Sequence, residues 1–397
     1  MQSFVENVES GFDGDKLMKF CPRCGYFING KKTCSKCGYN SVKPLPSRIL
    51  SSKTGIVVSL IAVVVILFAT LISTNNFEDS QLVDSDTEFE VPSDVQTPMK
   101  SNNTLIQFAL ELVNDDREKH GVLPVKLGNN SAAQKHADDS LEFDYFSHWN
   151  SEGVKPYVTY TLFGGRGNVA ENISYSFTEC PASNCIPSVV DPFKKIENLH
   201  YMMMYDDASS NWGHRDTIIA PYSTHVNFGI AYDNDKFYFA QHFETNIIEW
   251  DKIELANTEL EMVGKLPDGF SVTQIEIYVD KNPTTLSGKT LNQESPYNQN
   301  YYDRGELVGI FLEPPLANSF YEECEVGKII LTGELGNTNC IDYVIFNNNS
   351  AHSNEIDISV DVSKWLESNG LHTLYVVLNN ADNERVDATS ITLEYLD

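Results

Sequence analysis

The sequence predicts a mixed α+β protein: helices flank a small antiparallel sheet, and a β-rich region follows. Three observations carry this. Apolar residues recur at helical spacing after Asn103, Ser131 and Pro192. Two alternating runs, Val226–Tyr232 and Phe237–Phe243, are joined by Asp233-Asn234-Asp235-Lys236 and read as a hairpin. From about Asp251 the apolar period is two almost throughout, which predicts an antiparallel β-sandwich over 251–397.

The N-terminal hundred residues follow different rules. Residues 1–20 show no period and read as a flexible tail. Cys21-Pro-Arg-Cys24-Gly and Cys34-Ser-Lys-Cys37-Gly then present two CxxC pairs, a spacing that suits four thiolates on one zinc ion. Residues 21–40 are therefore expected to be a zinc ribbon with Cys21, Cys24, Cys34 and Cys37 as ligands. Redox-active dithiols are the competing reading, but they usually sit in a βαβ context that this segment lacks. Gly55–Ile72 holds eighteen residues without a charge. At 1.5 Å per residue such a helix spans about 27 Å, close to a bilayer core. Residues 55–73 are thus expected to be a single transmembrane helix. Residues 74–101 are acidic and polar and form a solvated linker.

Charge sets the orientation. Residues 1–54 hold nine Lys and Arg against four acids, while the whole chain carries −28. Positive-inside bias places the N-terminus in the cytoplasm and the acidic body outside the cell membrane. That acidity argues against nucleic acid as an external partner. Outside, disulfides persist, and the pairs closing the shortest loops are Cys180–Cys185 and Cys324–Cys340.

In the body, Leu105, Ile106, Ala109, Leu112 and Val113 share a helical face that Gly121 ends. Ala133, Ala137 and Leu141 stripe a second helix over Ser131–Leu141. A third, Pro192–Tyr205, carries Ile196, Leu199, His200 and Met203. Further strands are expected at Ile275–Val279, Val308–Leu312, Lys328–Thr332, Tyr343–Phe346, Ile356–Val362, Thr373–Leu378 and Ile391–Tyr395. A short helix is expected at Ser363–Gly370.

Tyr145-Phe-Ser-His148-Trp, Ala170-Glu171-Asn172-Ile and Trp212-Gly-His214-Arg215 concentrate the polar chemistry. Together with Leu112-Val-Asn114-Asp-Asp-Arg117, the Ala133/Ala137 helix, Gln241 and Phe243, they make residues 104–245 resemble the CAP superfamily, the cysteine-rich secretory, antigen 5 and pathogenesis-related proteins. The likeness is strongest to its microbial SCP-like branch. The resemblance implies an α-β-α sandwich over 102–250 with a cleft lined by two histidines and acidic partners. Carried over, these are His148, His214 and Glu171, with Glu197 as candidate for a second glutamate. Animal members place an aromatic residue beside that glutamate, which this helix lacks.

Three chemistries fit such a set: a divalent metal held by neutral imidazoles, general acid–base work, or a buried polar network that fixes the cleft. No residue is marked as an activated nucleophile, and His136, His225 and His242 read as solvent-facing or locally hydrogen-bonded. The expected function is a membrane-anchored extracellular ligand-binding or adhesion protein, with zinc in the ribbon and a second divalent metal as candidate in the cleft. A cell-surface hydrolase is one alternative. A sensor whose ribbon engages a cytoplasmic protein is another. A peptide of residues 16–42 is expected to bind one Zn²⁺ and to lose its structure in chelator; a circular dichroism spectrum unchanged by chelator contradicts the ribbon.

Overall fold

Leu105, Ala109 and Val113 are buried along one side of helix α1 (Asn102–Lys119) in the computed structural model of this chain. The structure describes residues 102–178, 191–294, 297, 303–315, 318–332, 338–350, 354–366 and 369–396. All belong to one contact unit, Lys100–Asp397. The tail, ribbon cysteines, membrane stretch 55–73, linker, Cys180 and Cys185 lie outside the described residues. Among the described residues, no helix is long and apolar enough to cross a membrane.

Helix α1 is followed by β1 (Lys126–Leu127), α2 (Ala132–Phe143), α3 (Pro156–Leu162), β2 (Asn168–Phe177), α4 (Pro192–Tyr205), α5 (Gly213–Ile218), β3 (His225–Tyr232) and β4 (Lys236–Thr245). The strands form one sheet of order β1-β3-β4-β2, parallel at β1–β3 and antiparallel elsewhere. Asp191 caps α4 by accepting from the N–H groups of Phe193 and Lys194, and Pro192 sits in the first turn, where it removes no helical hydrogen bond.

Alternation along the strands sends side chains to two faces. Val226, Phe228, Ile230, Phe237, Phe239 and Phe243 pack against Leu105, Ala109, Ile196, Leu199 and Met203 of α1 and α4. On the other face, Ala133 of α2 meets Ile173 and Ala240. A Cβ on Gly229 would collide with the Ala133 carbonyl, so glycine lets α2 lie directly on the sheet. The result is helix, sheet and helix in three layers.

The remaining strands are β5 (Glu249–Ala256), β6 (Glu259–Lys265), β7 (Ser271–Asp280), β8 (Glu306–Leu312), β9 (Glu323–Glu325), β10 (Lys328–Thr332), β11 (Thr338–Ile345), β12 (Glu355–Asp361), β13 (Leu371–Asn379) and β14 (Arg385–Thr392). Short helices α6 (Gly288–Gln293) and α7 (Ser363–Leu366) interrupt them. Sheet β14-β13-β7-β8-β11-β10-β9 and sheet β12-β6-β5 share one core, in which Ile253, Leu260, Met262 and Ile358 meet Ile275, Phe311, Leu374 and Ile391. The expected all-antiparallel pairing is corrected at one place: β11 runs parallel to β8, because the β9–β10 excursion intervenes as a crossover. The expected Cys324–Cys340 bridge ties β9 to β11 within that excursion.

The two regions are joined by buried polar contacts. The Ser390 N–H donates to the Gly167 carbonyl (3.0 Å), and the Thr392 N–H to Thr161 Oγ1 (3.1 Å). Lys155, 2% exposed, reaches Asp280 (2.5 Å) and Asp303 (2.9 Å), and its Nζ lies 4.9 Å from the centre of the Trp149 ring.

Arg117, fully buried, joins the helix layer to the loop after α5. Its guanidinium donates to the carbonyls of Leu123 (2.7 Å), Ile218 (2.7 Å), Ala220 (3.0 Å) and Ser223 (3.3 Å). Burial pushes its pKa down to about 10. Arg117→Met is expected to leave these acceptors without their donor and to cost at least ~3 kcal/mol, since each orphaned buried group costs about 1–3 kcal/mol. Urea unfolding checks this; a loss under 1 kcal/mol contradicts the anchoring role.

Candidate functional site

Strand register builds the centre of the site. Glu171 of β2 stands directly opposite His242 of β4. Both point to the α2 face, because Ile173 and Ala240, each two residues away, pack there. His136 lies one turn beyond Ala133 on α2 and faces the same spot. His148 enters from the loop between α2 and α3.

These groups converge on one carboxylate. His136 Nδ1 is 2.6 Å and His242 Nε2 2.7 Å from Glu171 Oε2, and His148 Nδ1 is 2.7 Å from Oε1. The Glu171 side chain is wholly buried, while that of His148 keeps 13% of its surface exposed. An ionised carboxylate only accepts hydrogen bonds, so each nitrogen facing it carries a proton. For His148 this places a proton on Nδ1, which sets the tautomer of its neutral form.

His136 differs. Its Nε2 lies 3.0 Å from the Ser147 carbonyl, another pure acceptor. Both contacts are hydrogen bonds to an ionised Glu171 when both nitrogens are protonated, so the imidazolium is the form of His136 that fits between Glu171 and Ser147. Burial works against the charged ring, but the charge of Glu171 and its hydrogen bond outweigh that and raise the His136 pKa. Burial likewise opposes the carboxylate; the charge of His136 and three imidazole hydrogen bonds overcome it and hold Glu171 well below its ordinary value.

His214 has its own carboxylate. Asp207 Oδ1 lies 2.7 Å from His214 Nδ1, and Oδ2 accepts the backbone N–H groups of His214 (2.9 Å) and Arg215 (3.2 Å) at the start of α5. Burial resists ionisation of Asp207, but these bonds and the neighbouring imidazole depress its pKa. Its tautomer is therefore also fixed, with the lone pair on Nε2. Asn172, whose side chain points to the sheet face opposite Glu171, donates to the His214 carbonyl (3.0 Å). Adjacent residues of the edge strand β2 thus hold His148 through a side chain and His214 through its backbone.

Of the residues singled out in the sequence, the structure joins His148 to Glu171. His214 pairs with Asp207 instead. Glu197 is exposed on α4 and is not among the partners of Glu171. Ser147 Oγ is committed to backbone: it donates to the Tyr297 carbonyl and accepts from the Trp149 N–H (3.0 Å).

Sequence reading missed His136, His242 and Asp207. The i+3 spacing from Ala133 places His136 on the buried stripe, and alternation places His242 with Ala240, so those two signals were available. Asp207 gives none beyond lying in an acidic pair.

Among the described residues, His136, Glu171 and His242 form the group whose ligand atoms all lie within 4.8 Å of one another. In this packing the His136 nitrogens face Glu171 and the Ser147 carbonyl, and His242 Nε2 faces Glu171, so a metal here would have to displace those contacts, while His242 Nδ1 is buried without a hydrogen-bond partner. His148 and His214 each have Nδ1 on a carboxylate, the arrangement that orients metal-binding imidazoles. Beside the cluster, His136, His148, His242, Asn150 and Lys155 border a cavity of about 10 Å³, the size of one water.

Residues 110–243 match the family model of CAP, the cysteine-rich secretory protein family. Solved structures with some likeness include an extracellular SCP-domain protein of Bacillus anthracis str. Ames (19% identity, TM-score 0.28, 38% of this chain and 45% of that one). A cysteine-rich secretory protein of Staphylococcus aureus Mu50 follows (16%, 0.25, 38% and 41%), then the CAP domain of Enterococcal PrgA (14%, 0.24, 36% and 60%). This chain thus covers less than two thirds of each, and at these TM-scores the likenesses add nothing to the family match. No curated protein matches the chain.

Glu171→Gln is expected to cost about 3–5 kcal/mol in urea unfolding, because it strands a buried charge. The sign with pH follows from both partners. Glu171, depressed below 4.5, contributes above that pH and loses its contribution as pH falls through its folded value. His136, raised above 6.5, contributes below that pH and loses its share as pH rises through its folded value. The wild-type advantage over Glu171→Gln is therefore expected to peak between pH 4.5 and 6.5 and to narrow above. A difference that stays flat to high pH contradicts the ion pair.

Proposed function

We propose that residues 102–250 form a ligand-binding module that takes a divalent ion such as zinc through the Nε2 atoms of His148 and His214. One observation carries this reading: both imidazoles have Nδ1 committed to a buried carboxylate, Glu171 for His148 and Asp207 for His214. Each side chain is thereby oriented and tautomerically fixed before any ligand arrives, which spares that ordering when it binds. A bound divalent ion would supply a positive centre able to recruit an anionic or oxygen-bearing ligand.

The setting is also part of the proposal. The uncharged stretch 55–73 and the basic residues before it support a single-pass anchor with the N-terminus in the cytoplasm and the module outside. The acidic linker 74–101 would then hold the module away from the bilayer, as a binding or adhesion protein requires. The ribbon, with zinc on its four cysteines, would face a cytoplasmic protein partner.

Zinc titration calorimetry tests the site, using the full chain with the four head cysteines replaced by serine. The wild-type site is expected to bind one ion. His148→Ala or His214→Ala is expected to weaken that binding at least tenfold, as loss of one ligand does, while the protein stays folded, with a melting temperature lowered by the hydrogen bond lost to its buried carboxylate. Equal binding by all three proteins overturns the proposal.

A further inference from the structure

The loop that carries His148 is held from outside by a segment of the C-terminal region. Asn292 accepts the Phe146 N–H at Oδ1 (2.9 Å) and donates through Nδ2 to the Asp144 carbonyl (3.0 Å). Tyr297 accepts from Ser147 Oγ through its carbonyl and packs its ring edge-on against Trp149 at 5.0 Å. The Leu286 N–H donates to the Ser151 carbonyl (2.8 Å). Leu291, fully buried, fills the space between Tyr145 and Trp149. A Cβ on Gly288 would collide with the Phe143 carbonyl, so the start of α6 lies directly against the end of α2.

These contacts alternate along the loop on both sides of His148. From inside, the same loop is held by the cluster: the Ser147 carbonyl accepts from His136 Nε2, and His148 donates to Glu171. Ser147 is the meeting point, its carbonyl on His136 and its hydroxyl on Tyr297. Backbone freedom that would let the His148 ring leave Glu171 is removed from both directions.

We propose that residues 286–294, together with Tyr297, are a strap that positions His148, with Asn292 as its principal positioning residue. The C-terminal region then completes the site of a module whose family match ends at residue 243. The hydrogen bonds of Asn292 go to the loop backbone at Asp144 and Phe146, so it acts on His148 through the loop.

The test uses the same full chain with serine at the head cysteines. Asn292 is exposed, so Asn292→Ala should leave the protein folded. Asn292→Asp keeps the acceptor for the Phe146 N–H and loses the donor to Asp144. Two readouts are taken: amide hydrogen exchange over 144–153 against 225–245, and zinc affinity. Asn292→Ala is expected to speed exchange about tenfold in 144–153 and to leave 225–245 unchanged. It is also expected to weaken zinc about tenfold, as outer-shell substitutions do, and Asn292→Asp should recover part of both losses. Unchanged exchange overturns the strap; faster exchange with unchanged zinc affinity overturns its positioning role. The zinc arm rests on the reading of His148 as a ligand. If the wild type binds no zinc, that reading fails and exchange over 144–153 alone decides the strap.

Discussion

A carboxylate placed where water cannot reach it has to find its solvation inside the protein, and the centre of this molecule is arranged around that requirement. Glu171 has its oxygens in a fully buried position on β2. Removing such a charge from water costs several kcal/mol unless opposite charge and donors replace the lost hydration. Helix α2 brings His136 as an imidazolium, β4 brings His242 by register, and the loop after α2 brings His148. Three separate chain segments are thereby tied to one pair of oxygens. Of these histidines, His148 is the most exposed, so the same carboxylate that staples the fold also presents an imidazole outward.

A second carboxylate repeats the arrangement at smaller scale. Asp207 caps α5 and sets the tautomer of His214 with the same side chain. The two histidines are prepared alike although their carboxylates come from different elements. Asn172, next to Glu171 on the edge strand, links them through the His214 carbonyl. The proposed metal binding would rest on this double preparation. The inner trio of His136, Glu171 and His242 ties α2, β2 and β4 together.

Helices with a clear apolar stripe were legible in the sequence. The third helix lies at Pro192–Tyr205 as expected, and the hairpin of β3 and β4 falls where alternation and the Asp-Asn-Asp turn put it. Strand β2 was not legible because Glu171 and Asn172 are adjacent and both buried, which erases the polar–apolar alternation. Helix α5 has six residues and begins after Trp212 at φ 67°, a conformation no side-chain pattern announces. Of the candidate site, His148 and Glu171 were legible as a pair. The partners that charge and orient them were not, because His136 and Asp207 act through geometry that only the folded chain creates. The family pattern also stops before Leu286, Asn292 and Tyr297, which hydrogen-bond the histidine loop.

The charge state of His136 is the point on which the rest depends. Nitrogen-15 NMR of histidine-labelled protein reads it directly, with His136→Gln to assign the signals. The expected result is a His136 ring that keeps both nitrogens protonated above pH 6.5, where a free imidazole has begun to lose one. A His136 ring with one unprotonated nitrogen would contradict the account, because Glu171 would then lack its countercharge.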